Sequence, residues 1–269
     1  MRLGLLTSVD TRHRYVANAL RAAVPVVAVG YERTGYDPSA VPATNLTKEE
    51  EAVVAAHFDE RARMEQIFFG SDDAFIGDGG PTAVRFIPPG ELNSTATLAF
   101  LEQNRVDAVL IYGTNLIKEP LLSRFASRMI NLHLGLSPYY RGTATNFYPL
   151  LNEEPEYVGA TIHLIDAGID SGPILRQVRP KITAEDQPHT IGCKTILAGV
   201  GALLDVIRAW EGGSLHPVKQ WTVDSPRFYR RRDYHPRQVV DLYRKLKSGL
   251  IERYVERAAL VAPRVRLVT

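Results

Sequence analysis

The first half of the chain alternates short apolar runs with longer amphipathic stretches. Residues 2–7 predict a short buried strand, 15–23 a helix, and 24–30 a second strand rich in valine and closed by Gly30. Thr47 is placed to cap a helix over 47–69, with Glu50 three residues on to complete a capping box; Val53, Val54, Phe58, Met64, Ile67 and Phe68 supply its apolar positions. Residues 83–87 predict a strand ended by Pro88-Pro89-Gly90, and Asn93 or Ser94 caps a helix running to 100. Residues 107–112 read as a strand whose core, Ala108-Val109-Leu110-Ile111, is uninterruptedly apolar, as in a parallel strand covered on both faces. A short helix over 120–128 and a strand over 129–132 follow. This rhythm predicts an α/β fold: a Rossmann-like, open, mostly parallel sheet flanked by helices.

After Pro149 the pattern changes. Residues 157–165 and 174–178 predict two paired strands around a turn at 166–172, and 190–210 a long apolar helix. From Gly212 onward the chain turns polar and basic, with one further helix over about 236–260. The expected organisation is a main domain over 1–222 and a short helical C-terminal appendage over 223–269.

Composition adds little. The chain has 269 residues, 45% hydrophobic and 23% charged, ordinary for a globular protein able to bury a core without staples. A net charge of +2 selects no partner. Basic residues gather late, at Arg227, Arg230, Arg231, Arg232, Arg237, Arg244, Lys245 and Lys247. Broken by Asp233 and Asp241 and without interleaved stacking residues, they read as a solvated helical face. The single cysteine, Cys193, precludes a disulfide framework within the chain, fits a reducing compartment and reads as a core residue. The chain opens on a strand-like run, not a signal-peptide shape, and no stretch reads as bilayer-spanning. A cytoplasmic location with no membrane partner is therefore expected.

Two stretches carry candidate chemistry. The first runs from Asn131 to Gly142 and reads NLHLGLSPYYRG. Residues two apart on a strand share a face, so Asn131 and His133 project together where the strand gives way to a Gly, Ser and Pro loop. Open α/β sheets build sites at these carboxyl edges. A carboxamide can donate to a developing oxyanion, and an imidazole can carry a proton near neutral pH. The second stretch, IDAGIDSG over 165–172, can turn tightly at Gly168 and Gly172 and present Asp170 at its tip. A carboxylate beside an imidazole orients the ring and raises its proton affinity. Each half alone is compatible with an ordinary strand end or a solvated turn. His163 reads as a residue on a strand face rather than a catalytic one. No histidine spacing suits a metal.

The pairing of Asn-x-His-x-x-x-Ser-Pro-x-x-Arg-Gly with Asp-x-Gly-Ile-Asp-Ser-Gly, His133 and Asp170 lying 37 positions apart, resembles the N10-formyltetrahydrofolate-dependent formyltransferase family. That family includes methionyl-tRNA, glycinamide ribonucleotide and sugar-nucleotide N-formyltransferases. The resemblance covers residues 80–222 well and implies that 1–222 is the catalytic domain. It implies N10-formyltetrahydrofolate as donor and no metal. Asn131 would hold the oxyanion, His133 would assist proton transfer, and Asp170 would position His133. The pterin would lie between the loop containing Tyr112, Gly113, Leu116 and Ile117 and the turn containing Asp166, Ala167, Gly168 and Ile169. Residues assigned to the acceptor side are Thr7, Ser8, Arg12, Arg14, Tyr139, Arg141 and Gly142.

The chain departs from two branches of the family. It has no Gly-rich phosphate loop after its first strand, which argues against glycinamide ribonucleotide. Only about 45 residues follow the core, against a longer barrel-like domain in the methionyl-tRNA branch. The expected acceptor is therefore a small amine, such as an amino sugar or natural-product amine, and nucleic acid is not expected. The alternatives are a methionyl-tRNA formyltransferase-like enzyme, a formyltetrahydrofolate hydrolase and a non-catalytic folate-binding protein. A homodimer is left open. A Rossmann oxidoreductase would need Gly-x-Gly-x-x-Gly after the first strand, which is missing.

Overall fold

A computed structural model describes residues 1–33, 37–42, 44–70, 74–75 and 80–269. The chain begins β1 (Leu3–Ser8), α1 (Thr11–Ala23), β2 (Val26–Glu32), α2 (Lys48–Phe69), β3 (Ala83–Ile87), α3 (Thr95–Gln103), β4 (Ala108–Tyr112), α4 (Leu121–Arg124) and β5 (Met129–His133). It continues β6 (Tyr140–Gly142), α5 (Tyr148–Leu151), β7 (Ala160–Leu164), β8 (Ile174–Val178), α6 (Pro188–Glu211), β9 (Arg227–Tyr229), α7 (Pro236–Lys247) and α8 (Leu250–Val261). The main sheet has seven strands in the order β3-β2-β1-β4-β5-β7-β8. The first five run parallel, and β7 and β8 pair antiparallel at one edge.

The apolar runs behave as doubly covered strands. Every residue of β1 and β4 is buried. Leu3, Leu5, Leu110 and Tyr112 face one core with α1, α2 and α6, whereas Leu6, Val109 and Ile111 face a second core with Leu101, Leu121 and Phe125. The period-2 alternation thus supplies two cores from one strand. The order reverses direction between β1 and β4, the switch point where open α/β sheets place their clefts.

The capping box forms as the sequence predicts: Thr47 Oγ1 accepts from Glu50 N at 3.3 Å, and Thr47 N donates to Glu50 Oε2 at 3.0 Å. Several expected boundaries move. α1 begins at Thr11, so Arg12, His13 and Arg14 occupy its first turn. Gly30 does not close β2, which runs on through Tyr31 and Glu32; a Cβ at Gly30 would meet Leu6 and Ile87 side chains at 2.6 and 2.8 Å. The helix expected over 120–128 stops at Arg124, and Ser127 then takes φ 59°. Tyr157 belongs to a 3-10 turn rather than to β7. The single helix expected over 236–260 is two, broken at Gly249, whose φ of 83° is left-handed.

The basic tail is not simply a solvated helical face. Arg227–Tyr229 form β9, which pairs in parallel with β6 as a second, two-stranded sheet. Arg237 and Arg244 on α7 both pair with Glu50 at the start of α2. Leu242, Leu250 and Ile251 pack with Leu150, Val158 and Ile191. Contrary to the sequence expectation, α6 is long and apolar enough to cross a membrane by length and composition; 56% of that window is buried inside the fold. Its Ile196 and Val200 join the core lined by β5 and β7.

Candidate active site

β5 ends at the switch-point edge, and its last residues carry the site. In the antiparallel pairing with β7, Asn131 stands opposite His163 and His133 opposite Thr161. The turn after β7 brings Asp170 back over this pair. Asp170 Oδ2 lies 3.5 Å from His133 Nδ1, and Oδ1 lies 3.5 Å from His163 Nε2 and accepts from Asn131 Nδ2 at 3.4 Å. The three residues singled out from the sequence therefore converge on one carboxylate, with His163 as a fourth member.

The turn achieves this differently from the expectation. The left-handed residue is Asp170 itself, at φ 49°, rather than Gly168 or Gly172. Gly172 is required by close approach, since a Cβ there would sit 1.8 Å from Leu164 O. Non-glycine residues adopt this conformation at a cost, so the surroundings must hold it. They do so on both sides: Gln220 Nε2 donates to Asp170 O at 2.8 Å and Gly172 O at 2.9 Å, and Gly142 N donates to Asp170 Oδ2 at 2.9 Å.

The protonation pattern follows from the partners. His133 Nε2 faces Tyr140 O at 3.3 Å and Thr145 Oγ1 at 3.4 Å. The Thr145 hydroxyl donates to Leu134 O, so it can only accept from the ring. The hydrogen bond to the Tyr140 carbonyl, which can only accept, places the proton of the neutral ring on Nε2 and leaves Nδ1 as the basic nitrogen, 3.5 Å from Asp170 Oδ2. His133 is only 7% exposed, and burial lowers its pKa from the ordinary value while Asp170 opposes that shift. Burial alone would raise the Asp170 carboxyl; His133, His163 and the Gly142 N–H outweigh it and hold Asp170 far below the usual carboxylate range. At neutral pH the arrangement is an anionic Asp170 facing a neutral imidazole. A proton arriving at Nδ1 would give an imidazolium that this carboxylate, 3.5 Å away, stabilises.

Asn131 Nδ2 also lies 3.1 Å from His163 Nε2, while His163 Nδ1 donates to Leu164 O at 2.8 Å. One Asn131 N–H is thus well placed on His163. The other makes only the long contact to Asp170, which an oxyanion could replace. Sequence reasoning set His163 aside; its role depends on cross-strand register, which residue spacing along one strand does not reveal. Gln220 and Thr145 were also not anticipated.

A cleft of about 1890 Å³ opens above the cluster. It is lined by Asn131, His133 and Asp170, by Tyr112, Gly113, Leu116 and Ile117, and by Asp166, Ala167, Gly168 and Ile169. Leu116 is 51% exposed there beside Ile117. Of the residues assigned to the acceptor side, Ser8, Arg12, Arg14 and Gly142 line the cleft. Thr7 does not: it is fully buried and donates to Tyr112 O at 2.8 Å. Tyr139 packs between Tyr157 and Trp221 and donates to Arg266 O. Arg141, in β6 opposite Phe228, is likewise outside the lining. Arg12 pairs with Glu65 at 2.5 Å and Asp10 at 3.2 Å, so its guanidinium is already matched. Among the described residues, no three His, Cys, Asp or Glu side chains are grouped to hold a metal ion.

Residues 47–207 match the family model described as formyl transferase. Methionyl-tRNA formyltransferase from Thermodesulfovibrio yellowstonii is 37% identical over 112 residues, covering 42% of this chain and 36% of that protein. The one from Finegoldia magna is 30% identical over 138 residues, covering 47% and 44%. The chain thus spans less than half the length of the curated relatives it matches. Its fold is shared with phosphoribosylglycinamide formyltransferase from Anaplasma phagocytophilum (TM-score 0.56, 16% identity, 86% of this chain and 98% of that one). It is also shared with an N-formyltransferase from Helicobacter canadensis in complex with folinic acid and dTDP-3-aminofucose (TM-score 0.53, 17% identity, 87% and 72%). Because the matched segment runs from the start of α2 into α6 and takes in β5, β7 and the Asp170 turn, the chain belongs to the formyl transferase family.

Proposed function

We propose that the protein is an N-formyltransferase that moves a formyl group from N10-formyltetrahydrofolate to the amine of a small molecule. The observation that carries this reading is the convergence of Asn131 and the buried His133 on Asp170 at the carboxyl end of β5. Acyl transfer needs an oxyanion donor and a proton carrier beside a positioned amine, and these residues supply both kinds of group.

The cleft suits a folate donor. Leu116 and Ile117 offer an apolar shelf, and the exposed residues Asp166, Ala167 and Gly168 line the same cleft. The Asp166 carboxylate is spent on Gly168 N and Ser171 Oγ, which fixes the turn and leaves its carbonyls for a ligand. The donor brings the formyl carbonyl. Asn131 Nδ2 would donate to the oxygen that gains charge when the amine attacks. His133 Nδ1 would take the amine's proton, and Asp170 would stabilise the resulting imidazolium and keep the ring oriented; the bond from the formyl carbon to N10 would then break, with His133 returning that proton to N10 so that tetrahydrofolate leaves and the amine keeps the formyl group. On this reading residues 1–222 are the catalytic unit and 223–269 an appendage that completes the cleft rim. The methionyl-tRNA relatives make aminoacyl-tRNA the second reading for the acceptor.

Incubation with 10-formyltetrahydrofolate and a panel of amines tests the reaction, with donor loss and formylated product both followed. Product formation on one amine is expected. Formate release at the same rate without any amine would make the protein a hydrolase, and no donor loss would remove the assignment.

A further inference from the structure

A row of side chains runs away from the site across the sheet. His133 of β5 stands opposite Thr161 of β7, and Thr161 stands opposite Gln177 of the edge strand β8. Beyond that edge, residues 265–268 continue the row. Gln177 N donates to Val268 O at 2.6 Å, and Val268 N donates to Gln177 Oε1 at 3.2 Å. Thr161 is fully buried and Gln177 is 1% exposed. Ser137, Thr161, Gln177 and Val268 lie outside the cleft lining, so any service they do the site passes through other groups.

The row holds the loop that follows His133. Thr161 Oγ1 donates to Gly135 O at 2.6 Å and accepts from Ser137 N and Gln177 Nε2, both at 3.0 Å. A hydroxyl has one hydrogen and two lone pairs, so this one is fully used. Gln177 Nε2 also donates to Ser137 O at 2.7 Å. The amide can serve the loop only with its nitrogen turned inward. Val268 fixes that orientation, because a backbone N–H finds an acceptor only in Oε1. Residues 265–268 are seated by further contacts: Tyr139 Oη donates to Arg266 O at 3.2 Å, and the Arg266 guanidinium lies 4.2 Å from the Trp221 ring centroid. The loop held in this way ends at Tyr140, whose N donates to Leu136 O at 2.9 Å and whose O faces His133 Nε2 at 3.3 Å.

Two acceptors compete for the proton of the neutral His133 ring. Tyr140 O takes it at Nε2, while Asp170 Oδ2 lies 3.5 Å from Nδ1. A carboxylate is the stronger acceptor, so a Tyr140 carbonyl that drifted away would lose the competition. The proton would then sit on Nδ1, and that nitrogen would have no lone pair for an incoming proton. We infer that Gln177, Thr161 and the Val268 backbone are positioning groups for His133: they hold the 135–140 loop so that Tyr140 O keeps the ring proton on Nε2 and Nδ1 stays bare. Calling the bare nitrogen the base for the amine rests on the formyl-transfer reading; control of the ring's tautomer does not.

The full chain, labelled with nitrogen-15 in its histidines, is compared by NMR at neutral pH as wild type, Val268→Pro, Val268→Ala and Gln177→Met, with His133→Ala used to assign the ring signals. Proline removes the N–H that orients Gln177, alanine keeps it, and methionine removes the side-chain donor at similar volume. None of these changes touches Asp170, His163 or Arg141, the charged and titratable groups that act on His133. Wild type and Val268→Ala should show a bare Nδ1 and a protonated Nε2. Val268→Pro and Gln177→Met should move the proton toward Nδ1, with kcat at least about 5-fold lower and KM for 10-formyltetrahydrofolate unchanged, as expected for one hydrogen bond lost. Near-ultraviolet circular dichroism verifies that each form is folded. Unchanged His133 signals in folded Val268→Pro and Gln177→Met, or a wild-type ring already protonated on Nδ1, overturn the inference. So does a shift in Val268→Ala as large as that in Val268→Pro. Shifted signals with no formylated product from any amine, in wild type included, would remove the formyl-transfer reading and leave the tautomer control standing.

Discussion

On the proposed reading, the side chains gathered around the Asp170 carboxylate set the chemistry, and the ionisation of His133 gives it a pH signature. His133 must be neutral to accept a proton, and burial keeps its pKa below the ordinary value near 6.5. The rate should therefore be level near neutral pH and fall only in acid, with the limb below about pH 6.5. Asp170 raises the proton affinity of His133, so Asp170→Asn should both slow the reaction and move the limb to lower pH. A pH–rate profile of kcat/KM checks this; an unchanged limb in Asp170→Asn would separate the two residues. Asn131 and His133 were legible in the sequence because two-residue spacing on a strand fixes a shared face. Asp170 was legible as the tip of a Gly-bounded turn, and its pairing with His133 through a resemblance of motifs. His163 was not, because it joins the site through the Asn131↔His163 register of two antiparallel strands.

At the scale of elements, two glycines make sharp predictions. Gly142 takes φ 95°, and a Cβ there would fall 2.0 Å from Tyr229 O, between β6 and β9. Gly142→Ala should push β9 away, weaken the hydrogen bond to Asp170 and cost about 2 kcal/mol of stability. Urea unfolding should show that loss, and activity should fall with it. Gly249→Ala at the α7–α8 break should cost about 1 kcal/mol by the same measurement while leaving folinic acid affinity unchanged. β4 was legible because its buried run, Ala108-Val109-Leu110-Ile111, is uninterruptedly apolar. β9 was not, since Arg227-Phe228-Tyr229 is too short and too polar to signal a strand, and it forms because β6 offers an open edge. The break at Gly249 was masked by apolar periodicity continuing on both sides, in Leu242, Leu250 and Ile251.

Over the whole molecule, the parts differ in how far shared ancestry explains them. The family match covers 47–207, which contains the Asn131, His133 and Asp170 cluster, and it stops before Gln220 and β9. The groups that would define the transfer thus lie inside the matched region, and those that would define the acceptor lie partly beyond it. Glu32, Asn115 and Arg231 link β2, the loop after β4 and the chain leaving β9 into one frame around the cleft. The most direct test of the account compares wild type with Asn131→Ala, His133→Ala and Asp170→Asn for consumption of 10-formyltetrahydrofolate in the presence of the amine panel, with folinic acid affinity measured on each protein. The expected result is near-equal folinic acid affinity throughout and a rate at least about 100-fold lower in each variant. Near-wild-type turnover in His133→Ala or Asp170→Asn, with the donor still bound, would contradict it.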